Sequence, residues 1–470
     1  MRYIKLHENE KVPVFKNVIY ALRLVCKADK RLLISYLISY IFDDIFVRYI
    51  QSILFLKVLL SLFDRGAEFR EYVRDLVLFF AIAAATKIIS WVAAYIRQVA
   101  TKNVLKVLNN MVFQKAISLD VGCYESPEFY DKYQRATLIM SAGYFDIICY
   151  DVALVVSGSV SLMLVIGTVT SISPVYLLFL LPIALVFVIE IFKSKAVYKR
   201  DLEMTGNNRT KAYIQRTVFL KDFSKDMRTS NIFSVMMKRF EKAVDGNIKI
   251  LKSYGAKLFL YSIVSSLFSE FIPIIGTYAY AGYKFVKGGS MTVSGFSVVV
   301  SSISTVREAT LDIAEAFDEM TQMALYFQNL KDFFDFEPSI KDGNIQAGEF
   351  ESLEFRNVTF RYPSAKKNTL ENISFKINRG ETVAVVGING AGKSTTVKLT
   401  LRFYDVTDGE ILYNGVNIKE YTLSSLRSSF ATVFQDCKNF AISVYENVMC
   451  HECTDGDKQK AQTALKQAGV

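Results

Sequence analysis

Nearly unbroken apolar stretches dominate the first two thirds of the chain: Leu32 to Phe63, Val73 to Tyr95, Val152 to Ile172, Val175 to Phe192, Leu258 to Phe285, and Val293 to about Ala309. A bilayer core about 30 Å thick takes roughly 20 mostly apolar residues per helix, so each stretch predicts a membrane crossing. The last shades into an amphipathic helix that continues to Phe334. Six crossings return the chain to the side on which it began. Lys and Arg gather in Thr101 to Arg135 and Lys193 to Lys257, while the links Asp64 to Tyr72, Ser171 to Pro174 and Lys287 to Thr292 are short. That bias predicts a multi-pass protein of the cell (plasma) membrane with both termini cytoplasmic. Met1 to Arg31 is polar and basic, and the run after it is too long for a signal-peptide core, so the first run is expected to remain as a span.

The two basic segments are themselves helical in pattern. Asn103 to Ser118 and Arg209 to Asn231 place apolar residues at helical spacing between charges, predicting membrane helices that extend into the cytoplasm and turn there. In CYESPEFYDKY, Ser126 suits an N-cap and Pro127 the first helical position of a short helix carrying Phe129 and Tyr130. FLKDFSKDMR, Phe219 to Arg228, repeats the arrangement with Phe219 and Phe223. These aromatics are either docking knobs for another domain or local packing. Charges within or near the spans, Asp43, Asp44, Lys87, Glu190 and Glu270, are costly in lipid and therefore expected to line a cavity or to pair. Asp43 or Asp44 lies as far back from the first link as Lys87 lies beyond it, so an ion pair across that hairpin is expected.

Composition agrees with a chain that is part membrane and part soluble. Its 470 residues are 51% hydrophobic and 22% charged, with a formal net charge of +10. The basic residues flank apolar runs, which excludes nucleic acid as the expected partner. Six scattered cysteines argue against a disulfide framework. Only Cys450 and Cys453, in CHEC, have metal-like spacing; without a second ligand pair, reduced thiols on a helix are expected.

After Asp335 the pattern changes. LEFRNVTFRY and NISFKI alternate like strands, and an apolar strand, Thr382 to Val386, is expected to run into Gly387, Ile388, Asn389, Gly390, Ala391, Gly392, Lys393 and Ser394, then into a helix through Leu401. G-x-x-x-x-G-K-[ST] between strand and helix is a phosphate-binding loop. Glycines let successive backbone N–H groups point inward, and the helix N-terminus adds partial positive charge. Lys393 is expected to neutralise the outer phosphates of a nucleotide and the Ser394 hydroxyl to ligand Mg2+.

VTFRYP, GETVAVVGINGAGKST, DGEILYNGVNI and VFQD stand in the order and spacing of an ATP-binding-cassette (ABC) nucleotide domain. With the six spans, the chain resembles an exporter-type ABC half-transporter. The resemblance implies an α-helical six-span membrane domain followed by an α/β P-loop NTPase domain, incomplete at its C-terminus. The expected division is a cytoplasmic segment 1–30, a transmembrane domain 31–335 with coupling helices near 126–133 and 219–228, a linker 336–350, and a partial nucleotide domain 351–470. It further implies Tyr362 stacking on adenine, Thr395 as a further phosphate-side hydroxyl, and Gln435 as the Q-loop glutamine approaching Mg2+. ATP and Mg2+ are the implied cofactors. A second half-transporter, identical or not, is the implied partner, with the lipid bilayer and a transported substrate.

One departure concerns turnover. No signature motif, Walker B aspartate, following glutamate or switch histidine occurs by Val470, so the expectation for this sequence is an incomplete one that binds nucleotide without hydrolysing it. The leading expectation is ATP-driven export of a peptide, lipid or amphipathic drug by a dimer. The alternative is a non-hydrolysing partner subunit or membrane-anchored sensor.

Overall fold

The structure is a computed structural model and describes residues 13–124, 129, 133, 136–137, 139–140, 143–288, 291–338, 340–363, 365–434 and 439–469. It divides into two compact units: Met1–Ser118 with Pro127–Glu337, and Leu119–Ser126 with Pro338–Val470.

Among the described residues, every regular element of the first unit is a helix. Five helical stretches among the described residues are long and apolar enough to cross a bilayer: Arg31–Leu62, Phe69–Ser118, Tyr144–Ile172, Tyr176–Phe219 and Ile232–Lys287. The expected sixth crossing is present as one continuous helix, Val293–Phe334, but does not reach that apolarity. Ser294, Ser297, Ser301, Ser302 and Ser304 interrupt its first turns, and Thr292 caps it by accepting the Gly295 N–H at 3.1 Å. The extensions read from helical spacing are continuous with the spans: Phe69–Ser118 runs for 50 residues and Tyr176–Phe219 for 44.

Apolar side chains such as Trp91, Leu178 and Ile275 stand exposed on these helices, as lipid-facing residues do. Between the helices, small residues permit close approach. A Cβ on Gly276 would come within 2.4 Å of the Phe179 ring, and one on Gly158 within 3.2 Å of Ile313. Ile53, Val165, Ile183, Val298 and Ile303 fill the packing seam.

The intramembrane charges are mostly paired. Lys87 Nζ donates to Asp43 at 2.8 Å, the pair expected across the first hairpin. Asp44 instead accepts from Ser157 Oγ at 2.6 Å and faces Arg48 at 3.4 Å, and Arg48 also pairs with Asp312 of Val293–Phe334. Arg48 lies in a π-helical stretch, Ile45–Phe55. Glu190 is held by Lys193 at 3.0 Å and Ser265 at 2.9 Å, and Glu270 lies 3.8 Å from Arg307.

Of the first turn, Ser126, Pro127 and Tyr130 lie outside the described residues. Phe129 is buried, its ring 5.3 Å from Phe336 and 6.4 Å from Phe333, so packing and not docking describes it. Phe219 is 88% exposed and Phe223 39%, as docking aromatics require.

The second unit is built on an antiparallel sheet of order β2-β1-β3-β4, with β1 Ser352–Phe360, β2 Leu370–Asn378, β3 Asp408–Tyr413 and β4 Val416–Asn417. Alternation puts Leu353, Phe355, Val358 and Phe360 on the core face, beside Leu399, Tyr404, Ile411 and Tyr413. The alternation slips by a residue at Asn357, where φ is 49° and the β1–β2 register shifts. Gly409, at φ 80°, passes beneath that bulge, since a Cβ there would lie 2.4 Å from the Asn357 carbonyl oxygen.

Residues 119–124 belong to this unit. The buried Asp120 carboxylate accepts the Ile340 N–H at 2.9 Å, and Gly122 sits so close to Tyr404 that a Cβ would fall 2.8 Å from the ring. The turn that follows the helix Phe69–Ser118 is thus part of the nucleotide-motif unit.

Thr382–Val386 departs from expectation. It forms no ladder among the described residues, and Val383, Val385 and Val386 are exposed. Four apolar residues in five suit a strand covered on both faces, and the four strands among the described residues pair elsewhere. Cys450 and Cys453 differ in a smaller way: the helix Val444–Met449 stops at Cys450, whose φ of 58° ends it, so both thiols lie in a turn.

Removing the Arg48 guanidinium strips the cation from two carboxylates at once. Arg48→Met is expected to destabilise the helical unit by about 3–5 kcal/mol, read as a lowered thermal unfolding midpoint in detergent, whereas Arg200→Met, whose partner Asp201 is surface-exposed, changes it by about 1 kcal/mol or less.

Candidate functional site: a glycine turn at a helix head

The helix Lys393–Thr400 begins at Gly392, whose φ is 90°, with no side chain capping it. Its leading N–H groups are therefore left without an intrahelical partner. Gly390, at φ 88°, makes the preceding turn, and both conformations are ones that L side chains resist. Gly392 has a second requirement: a Cβ would lie 2.5 Å from Leu370 Cδ2 and 3.1 Å from the Thr369 carbonyl oxygen. Gly387 approaches Ala391 closely, a Cβ there lying 3.3 Å from that of Ala391.

The remaining expected residues fall around this turn. Ile388, Asn389, Gly390 and Ala391 are exposed. The Lys393 ammonium folds back over the turn, donating to the carbonyl oxygens of Gly387 at 2.7 Å and Ile388 at 3.0 Å. Ser394 faces solvent, while Thr395 is buried and its hydroxyl lies 3.1 Å from the Tyr362 hydroxyl. Tyr362 stands edge-on to Phe360 and Tyr404, with centroids at 4.8 and 5.2 Å, so strand β1 delivers its ring beside the helix head. Gln435 lies outside the described residues.

The far end of the helix is fixed by two arginines that motif reading does not reach. Arg402 is buried at φ 49°, pairs with Asp405 at 3.0 Å and donates to the Lys341 carbonyl oxygen at 2.9 Å. Arg427 donates to the carbonyl oxygens of Leu401 and Arg402 at 3.1 and 3.0 Å. Burial draws the Arg427 guanidinium's pKa down from its usual value, and the Asp120 carboxylate opposes this. Lys398 was also missed; its ammonium lies 5.5 Å from the Tyr362 ring centroid, and its place five residues past Lys393 was the available signal.

An anchored helix with an uncapped N-terminus, a close-packed glycine, a lysine and two hydroxyls fits a phosphate chain. Lys393 and the turn's N–H groups suit the anion, and Ser394 offers the exposed hydroxyl that a hard cation such as Mg2+ accepts.

Comparison with known proteins agrees with this geometry. Residues 370–470 match the family model described as ABC transporter. The chain is 26% identical over 381 residues to the subtilin transport ATP-binding protein SpaT of Bacillus subtilis, covering 79% of this chain and 60% of that protein. It is 35% identical over 203 residues to the putative multidrug export ATP-binding/permease protein YgaD of Bacillus subtilis (strain 168), covering 42% and 33%. It is 43% identical over 116 residues to the ATP-dependent lipid A-core flippase of Salmonella typhimurium, covering 25% and 20%. The chain thus spans less than two thirds of the length of each of these relatives.

Gly392→Ala is expected to weaken ATP binding about tenfold or more, because the added methyl meets Leu370 and the backbone must leave its left-handed turn. Titration with a fluorescent ATP analogue measures it, with Gly348→Ala, where a Cβ meets nothing within 4 Å, as the unaffected control.

Proposed function

We propose, from the premise that residues 370–470 are an ABC transporter domain joined to a bundle of apolar membrane helices, that the protein is an exporter-type ABC half-transporter. It works as a dimer, homomeric or heteromeric, and couples ATP binding and hydrolysis to outward movement of a cargo. The observation that carries this reading is the uncapped helix head at Lys393, with Lys393 poised over the turn.

In this reading the nucleotide occupies residues 387–395. The backbone N–H groups of the turn and the Lys393 ammonium hold the phosphates, displacing the two carbonyl oxygens that Lys393 now contacts. Thr395 adds a hydroxyl beside Tyr362, whose ring stacks on the base. Ser394 and Gln435 would hold Mg2+, which would supply charge neutralisation at the outer phosphates. Residues 119–124, packed in the nucleotide-binding unit, carry its movement to Phe69–Ser118, the helix they terminate. The exposed Phe219 and Phe223 are the second docking point. Both termini are cytoplasmic in a plasma-membrane protein. The relatives' names give subtilin, drugs and lipid A as their cargoes, and peptides, lipids and amphipathic drugs are the cargo classes proposed here.

The test is Lys393→Ala in purified protein in lipid. Loss of one charge-assisted contact to the phosphates is expected to weaken Mg·ATP binding about 10- to 100-fold. Unchanged binding in that variant contradicts the proposal. Tyr362→Phe is expected to retain nucleotide affinity and Tyr362→Ala to lose about tenfold, since the proposed contact needs the ring and not the hydroxyl.

A further inference from the structure

One face of the helix Lys393–Thr400 meets Tyr362 at two points. The Thr395 hydroxyl lies 3.1 Å from the Tyr362 hydroxyl, and the Lys398 ammonium lies 5.5 Å over the Tyr362 ring. Thr395 and Lys398 are three residues apart and so share a face, which Leu399, four residues past Thr395 and fully buried, roots in the core.

The same ammonium lies 5.9 Å over the Tyr404 ring. The rings of Tyr362 and Tyr404 stand at 83° to one another with centroids 5.2 Å apart, so one cation occupies the corner between them. Phe360 meets Tyr362 at 78° and 4.8 Å. Phe360 and Tyr404 are buried, whereas Tyr362 and Lys398 are both half-buried. Tyr362 is thus the least enclosed of the three rings, and the attraction of a cation for a ring face weakens as the ring turns away. Lys398 also stands five residues beyond Lys393, about 7.5 Å farther along the helix axis from the glycine turn that suits phosphate.

We infer that Lys398 is a positioning residue for the nucleotide base: its ammonium sets the angle of the Tyr362 ring, and the base stacks on the face that the cation leaves. The inference rests on the nucleotide reading and adds a residue to that site. The helix then addresses both ends of one ligand, its head holding the phosphates while Lys398 acts on the base through Tyr362. The cation also draws ring electron density to its own side, which lessens the repulsion between two stacked π-faces.

The test is calorimetric titration of the purified protein in lipid with Mg·ATP, comparing wild type with Lys398→Met, Lys398→Arg, Tyr362→Ala and the double variant Tyr362→Ala/Lys398→Met. Methionine keeps an unbranched stem and removes the charge. Lys398→Met is expected to bind about fivefold more weakly than wild type, and Lys398→Arg within about twofold, because a guanidinium also suits a ring face. In the Tyr362→Ala background, Lys398→Met is expected to cause no further loss, a coupling that a lysine acting on the phosphates or on the fold at large would not show. Inorganic tripolyphosphate, which carries the charge of the phosphate chain and no base, is expected to bind wild type and Lys398→Met equally. Equal ATP affinity in wild type and Lys398→Met overturns the inference, as does a loss that persists without the Tyr362 ring or extends equally to tripolyphosphate. Lys393→Ala in the same series separates the two readings: unchanged ATP binding there contradicts the nucleotide site itself, whereas a loss there with none in Lys398→Met overturns the role of Lys398 alone.

Discussion

Backbone N–H groups that the chain itself leaves unpaired are the constraint around which the nucleotide-motif unit is arranged. Gly392 turns into the left-handed region at the head of Lys393–Thr400, and no side chain supplies the missing acceptor. The rest of the unit holds that head still. Leu399 and Thr395 root the helix in the core, Arg402 and Arg427 bind the carbonyl oxygens and carboxylate beyond its end, and β1 sets Tyr362 beside it. An anion arriving at such a head meets donors already in place, so little reorganisation offsets the attraction.

The helical unit answers a different constraint, the cost of charge among apolar helices. It meets that cost by pairing: Lys87 with Asp43, Arg48 with Asp44 and Asp312, Lys193 with Glu190. Arg48, and Glu270 beside Arg307, sit in π-helical stretches, where a widened turn changes which residues face inward.

Local pattern made much of this legible. Apolar run length located the long helices, and the glycine spacing located the phosphate turn, because both signals are carried by residues adjacent in sequence. Depth along a hairpin brought Lys87 level with Asp43 or Asp44, and the structure pairs it with Asp43. What sequence missed depends on which face of a helix meets which neighbour. The Arg48 bridge joins positions 264 apart, Phe129 turned inward against Phe333 and Phe336, and the arginines behind the phosphate turn act through backbone carbonyls that no motif records. Thr382–Val386 failed for another reason: apolarity identifies a segment that suits a central strand, but a strand exists only where a ladder is offered. The serines of Val293–Phe334 likewise make that helix less apolar than its length suggested.

The account joins anion capture at one turn to movement of the helix Phe69–Ser118, whose following residues 119–124 belong to the turn's own unit. Hydrogen–deuterium exchange of the protein in lipid, with and without Mg·ATP, tests that joint most directly. Residues 387–391 are exposed and should exchange rapidly alone. Nucleotide is expected to slow exchange across residues 387–395 and to change it at residues 119–124 together. Unaltered exchange at the turn under saturating Mg·ATP would contradict the account at its centre.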